Sequence, residues 1–263
     1  MAKSQTLTPE DLATLKHAKS LLENPGLAAK VTNLLGAPIE KGFEALPDNW
    51  REKVTLATES ALKKALSVAV RTMTDGKVEP PNDRWHMLAV GVSGAIGGAA
   101  GLAALPIELP VSTTIMLRSI ADIARSEGSD VQDVATGLAC MEVFAMGGRS
   151  PDDDATNSAY FATRTLLARS VTEAAEFIAE KGVAEAGAPA IARLIATIAS
   201  RFGITVSEKA AAQAVPIIGA AGGALINTLF MDHFQNMAHG HFTVLRLERQ
   251  YGAETVRLAY ETI

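Results

Sequence analysis

Apolar positions recur at helical spacing along almost the whole chain. The clearest case follows Asp48, where Val54, Ala57, Ala61, Leu62, Ala65, Val68 and Ala69 mark one face of a helix predicted to reach about Thr74. Upstream, Thr8-Pro9-Glu10-Asp11 is a helix start: a capping hydroxyl, a proline where a missing N–H costs nothing, then acids in the first turn. That helix is predicted to end near Glu23, and a short helical stretch over 27–45 is interrupted at Gly36-Ala37-Pro38. Turn-forming residues make 75–84 a loop. It separates N-terminal helices (9–74) from a core (85–263), the whole predicted to be one domain, 1–263.

Within the core the pattern predicts a glycine-rich apolar helix over 85–106, then helices over 108–127 and 130–146. A loop over 147–153 precedes a long amphipathic helix ending near Lys181. A helix over 189–201 is predicted to break at Phe202-Gly203, and Ser207 to cap a further stretch interrupted at Pro216. A second glycine-rich helix over 217–238 and an amphipathic tail over 241–263, broken at Gly252, complete the chain. No strand pattern of useful length occurs. The predicted fold is all-α, a single multi-helix bundle with two central glycine-rich apolar helices.

Those two helices carry the strongest signal. Residues 87–107 hold no charge, nor do residues 210–231. A helix of such length spans about 31 Å, the hydrocarbon thickness of a bilayer. A hexapeptide recurs, Gly94-Ala95-Ile96-Gly97-Gly98-Ala99 and Gly219-Ala220-Ala221-Gly222-Gly223-Ala224. Its glycines four apart form a zipper-like stripe that invites close helix contact. Three readings stand open: the buried centre of a bundle, segments that enter a membrane, or a soluble form that opens onto one.

Composition narrows the surroundings. The formal charge is −5, which argues against a nucleic-acid partner and against a polybasic membrane tether. The start of the chain has no apolar signal segment, so a cytoplasmic location is expected, with the inner membrane face as a peripheral site. The lone Cys140 sits among apolar residues and reads as a small core side chain. No P-loop, G-x-S-x-G or E-x-x-H pattern occurs.

Candidate chemistry is confined to a few polar residues in apolar helices. Glu108 lies between Pro106 and Pro110, Arg118 and Asp122 are spaced to pair, and Glu142 is the only charge between Asp133 and Arg149. Asp232, His233, His239 and His241 cluster where an apolar helix turns polar. Together Glu108, Glu142, Asp232, His233, His239 and His241 are the candidate catalytic residues. A divalent metal would draw on Glu108, Glu142, His239 and His241, the two histidines converging only if Gly240 breaks the helix between them. A histidine meeting a buried carboxylate would have a raised pKa. The other reading of the same residues is a structural polar network.

Several stretches resemble the EcsC protein family: residues 97–114, from Gly97-Gly98 through Leu105-Pro106-Ile107-Glu108-Leu109-Pro110, Met116-Leu117-Arg118-Ser119-Ile120-Ala121, and Glu142 to Gly148. So do residues 215–220, Asp232-His233-Phe234-Gln235 and Ala238-His239-Gly240-His241-Phe242. The likeness covers about residues 20–260. The family's namesake is encoded beside an ABC transporter, so the resemblance implies a cytoplasmic, membrane-linked accessory protein whose partner is a lipid or a membrane protein. It supplies no catalytic residue. The alternative is a metal-dependent or histidine-assisted hydrolase acting on lipid or peptide.

Overall fold

In the computed structural model the described residues are 6–23, 27–35, 39–75, 104–147, 158–181, 188–214 and 219–263. Of these 88% are helical and none lies in a strand, so the fold is all-α. The helices are α1 (Pro9–Leu22), α2 (Leu27–Leu35), α3 (Glu40–Glu44), α4 (Trp50–Asp75) and α5 (Leu105–Ser126). They continue as α6 (Val134–Glu142), which tightens into a 3-10 turn (Val143–Ala145), then α7 (Ala159–Lys181), α8 (Pro189–Ala214), α9 (Gly219–Tyr251) and α10 (Ala253–Thr262). The first glycine-rich segment lies outside the described residues as far as Ala103, as do residues 215–218 of the second run.

The local signals act as their chemistry requires. The Thr8 hydroxyl accepts the Asp11 N–H at 3.1 Å at the start of α1. At the end of α5 the Gly128 N–H donates to Arg125 and the Ser129 N–H to Ala124, both at 2.9 Å, a glycine-terminated cap with φ +75°. Gly252, at φ +86°, separates α9 from α10 where the break was expected. On α4, Val54, Ala57, Ala61, Leu62, Ala65 and Ala69 are all buried, so the predicted apolar face is the packed one.

Two expected breaks are absent. Helix α8 runs straight through Phe202-Gly203, and α9 straight through Gly240. The reason in α8 is packing. Phe202 sits in an aromatic cluster with Phe144, Phe230 and Phe234, its ring centroid 5.1 to 6.1 Å from theirs. That anchorage outweighs the roughly 1 kcal/mol cost of a helical glycine. In α9, a β-carbon on Gly240 would stand 2.6 Å from Leu22 Cγ and 3.0 Å from the Ala18 carbonyl oxygen. Gly240 is therefore where α1 lies close against α9, not where α9 bends.

Helix α9 is the spine: at 33 residues it is about 50 Å long. It packs against α1, α2, α5, α8, α10 and the 3-10 turn, while α4 packs against α5, α6 and α8. One contiguous apolar core runs from Leu15 to Tyr260. A smaller cluster of Ile39, Leu46 and Ala211 joins the α3 region to α8. There a β-carbon on Gly42 would fall on the Ala211 carbonyl group, so the two backbones touch.

The two helical glycines predict opposite responses to alanine. Nothing lies within 4 Å of a β-carbon at Gly203, so Gly203→Ala should stabilise the protein by about 0.5–1 kcal/mol. Gly42→Ala must push α3 off α8 and should cost about 1–3 kcal/mol. Urea unfolding of both variants beside the parent checks the pair of signs.

Candidate functional site

Two charges buried between helices, Lys209 and Glu108, form an ion pair. Glu108 stands in the first turn of α5, where Pro106 occupies a position that needs no intrahelical N–H. Its Oε1 accepts from Lys209 Nζ at 2.7 Å and from Asn227 Nδ2 at 2.9 Å. Lys209 is 0% exposed and Glu108 7%. The ammonium also lies 4.7 Å from the centre of the Phe230 ring, on the aromatic cluster. Loss of hydration holds the Lys209 pKa below the usual lysine range, and Glu108 opposes that shift.

The cap expected at Ser207 would begin a new helix, with Lys209 in its first turn. In the continuous α8, Phe202, Val206 and Lys209 are spaced 0, 4 and 7 and all three are fully buried. That spacing was the signal for the missed lysine. It becomes visible only once α8 is known not to break.

A second polar group joins α6, α7, α9 and α10. The Tyr160 hydroxyl lies 3.0 Å from His241 Nδ1, and Arg164 grips Glu248 through two nitrogens at 2.6 and 3.1 Å. The Arg164 guanidinium lies 3.5 Å from the Tyr160 oxygen. Tyr260 stacks on Tyr160 and donates to Glu23 at 3.1 Å, which also accepts from Ser158 at 3.0 Å. Half-buried Glu142 has no hydrogen-bond partner among the described residues; desolvation pushes its pKa up to about 7, Arg164 opposing and Glu248 reinforcing.

The C-terminal cluster divides by helix geometry. At about 100° per residue, Asp232, Asn236 and His239 share one side of α9, while His233, Met237 and His241 share another. Asp232 pairs with Lys30 at 3.0 Å and accepts from Asn236 at 3.1 Å. His239 is half-buried, whereas His233 and His241 are buried and their Nε2 atoms have no hydrogen-bond partner among the described residues. The His233 ring lies over Gly147, where a β-carbon would stand 2.4 Å from Nε2.

Several expectations are corrected by this arrangement. His239 and His241 do not converge, because α9 does not break at Gly240 and two residues place them about 200° apart. Neither buried histidine meets a carboxylate, so their pKa values fall rather than rise, to about 4 for His233 and about 3 for His241, desolvation being the main cause. Asp122 pairs with Arg125 at 3.0 Å, and Arg118 is exposed. Glu108 is satisfied by α8 and α9, through a lysine and an asparagine rather than a histidine. Among the described residues no three His, Cys, Asp or Glu side chains come together as a metal-binding group. Buried Cys140 has its thiol pKa pushed up to about 12 by desolvation, which keeps it an inert thiol at neutral pH.

The class these features define is an all-helical bundle with charged and polar groups sealed between its helices. The chain belongs to the EcsC protein family, whose model matches residues 10–247. Comparison with curated proteins and with solved structures found no match.

Glu142 and the histidines give stability opposite pH dependences. Glu142 titrates near 7 when folded against an ordinary 4.5, so its stabilising contribution is full below about pH 4.5 and lost as pH rises toward 7. The histidines are kept neutral, so theirs is present above 6.5 and lost as pH falls toward about 4 and 3. Glu142→Gln removes only the first effect. Between about pH 5 and about pH 8 its stability should rise relative to the parent by on the order of 1–2 kcal/mol. Urea melts at the two pH values check the sign; no relative change would show that Glu142 titrates normally.

Proposed function

We propose that this EcsC-family chain is a cytoplasmic, peripherally membrane-associated accessory protein that acts through contact with lipid or a membrane protein. An ABC transporter is the membrane partner that the family resemblance suggests. The observation that carries this reading is the placement of charge around the two uncharged runs. Glu108 is the first charge after residues 87–107, Lys209 is the last charge before residues 210–231, and the two neutralise each other. Beside them Ile107 is 77% exposed, Val111 48% and Leu225 41%. Large apolar side chains displayed next to uncharged sequence suit a lipid surface.

Peripheral contact fits better than spanning. Among the described residues α8 alone is long and apolar enough to cross a bilayer, a property shared by buried core helices. Its central Arg201 is buried and donates to the Ala145 carbonyl at 3.1 Å, a charge that would be costly at the middle of a membrane. With a net charge of −5, hydrophobic contact rather than electrostatic tethering is the remaining route. The hydrolase alternative gains no support from the described residues, because His239 points away from His241 and neither buried histidine pairs with a carboxylate.

Flotation with vesicles of phosphatidylcholine and phosphatidylglycerol tests the reading. The chain should float, and should still float in about 1 M salt, where the screening length is roughly 3 Å. Changing Ile107 and Val111 together to aspartate should lower the floated fraction about tenfold or more, since each buried aliphatic side chain is worth about 1.5–3 kcal/mol. Recovery wholly in the soluble fraction, with no bound lipid, would remove the proposal.

A further inference from the structure

Helix α10 meets the rest of the protein along one narrow stripe. Val256 and Tyr260 are fully buried, Ala259 is half-buried, and Glu254, Arg257, Leu258 and Glu261 are exposed. Covered positions spaced 0, 3 and 4 are those of a helix lying in a groove. The walls of that groove come from α1 and α7. The Tyr260 ring stacks on Tyr160, its centroid 5.8 Å away, and meets Phe161 edge-on at 5.1 Å. On the α1 side, Glu23 accepts from the Tyr260 hydroxyl at 3.1 Å, and Lys19 Nζ donates to the Tyr260 carbonyl at 2.8 Å. The region matched to the EcsC family ends at residue 247, so α10 packs onto that bundle from outside it.

The joint to α9 is a single residue. The Gly252 N–H still donates to the Glu248 carbonyl at 2.9 Å, and the Gly252 carbonyl accepts from the Val256 N–H at 3.2 Å. Helical hydrogen bonding is therefore interrupted only at the N–H groups of residues 253–255. The interruption is a bend, with Gly252 at φ +86° and ψ 143°, a conformation open almost only to glycine. Nothing lies within 4 Å of a β-carbon there, so no neighbour of Gly252 enforces the bend. What holds it is the seating of α10, because a helix of ten residues is marginal by itself in water. With Gly252 helical, α9 and α10 would run on as one helix and residues 253–255 would regain their hydrogen bonds. Helix α10 would then project about 15 Å past Tyr251, out of reach of its own groove. Folding back thus gives up backbone bonding to fill the groove, whereas exchange between two copies satisfies both.

We infer that the α1–α7 groove receives α10 either from its own chain or from a second copy, and that straightening at Gly252 pairs two copies by exchanging it. The partner is this chain itself, because a second copy carries the same Val256–Tyr260 stripe and repeats every groove contact without a new surface. The exchange is reciprocal, so it closes as a two-fold dimer and leaves neither groove empty. It uses none of Ile107, Val111 and Leu225, and so stands apart from the membrane reading.

Light scattering on the full chain across a concentration series, without lipid, tests the exchange. Gly252→Ala penalises the bend and favours the straight helix, so its dimer dissociation constant should fall about tenfold or more below the parent's. Hydrogen exchange over residues 253–262 should slow as that dimer forms, because α10 is then both seated and continuous with α9. Adding Tyr260→Ala should return the chain to a monomer with fast exchange there, and Val256→Ala carries the same comparison if that variant does not fold. A Gly252→Ala chain that stays monomeric at every concentration overturns the inference. So does a dimer, of parent or variant, that survives loss of the Tyr260 ring, since another surface would then hold it. A monomeric Gly252→Ala chain that binds an added peptide of residues 253–262 would make the groove a receptor for a separate helix, and would also overturn pairing by exchange.

Discussion

A lysine ammonium sealed from water sets the terms for one end of this bundle. An unpaired charge there would cost several kcal/mol, so α8 can seat only where Lys209 meets Glu108, whose carboxylate also accepts from Asn227. That demand fixes three helices at once: the first turn of α5, the axial position of α8 and the rotation of α9. Apolar packing alone tolerates sliding by a fraction of a turn, whereas a 2.7 Å charged contact does not. The Phe144, Phe202, Phe230 and Phe234 cluster then fills the space beside the ammonium, with Phe230 serving both.

Helix α9 carries the rest of the polar interior. Its buried side places Asn227 near the ion pair, His233 against the Gly147 backbone and His241 against Tyr160. It can do so because it remains one helix for 33 residues. A break at Gly240 would have rotated His241 away from Tyr160 and Glu248 away from Arg164. The glycine serves instead to admit α1 at close range. Membership of the EcsC family and an all-helical fold are thus joined to a distinctive pattern: polar groups placed at helix crossings rather than gathered into one cleft.

Much of the fold was legible along the chain because its causes are local. Helical periodicity, the Thr8 cap, the apolar face of α4, the ends of α5 and α7 and the break at Gly252 all depend on residues within a few positions of one another. The all-α class and the unusual character of Glu108 and Glu142 followed from the same kind of reading. Phe202-Gly203 and Gly240 misled because a helical glycine is a weak local penalty. Aromatic packing around Phe202 and the approach of α1 to Gly240, both long-range, overrule it.

The partners of the charges were decided by the tertiary structure alone. Nothing near Glu108 in sequence names Lys209, nothing near Glu142 names Arg164, and nothing near His241 names Tyr160. The same holds for the histidines, whose neutrality comes from burial by distant helices and not from their neighbours in the motif. Sequence determined which helices exist and which residues were out of place in them, since periodicity and capping act over one or two turns. Which charges meet was left to the packing, since desolvation and Coulomb energy depend on distances in space that the order of residues does not contain.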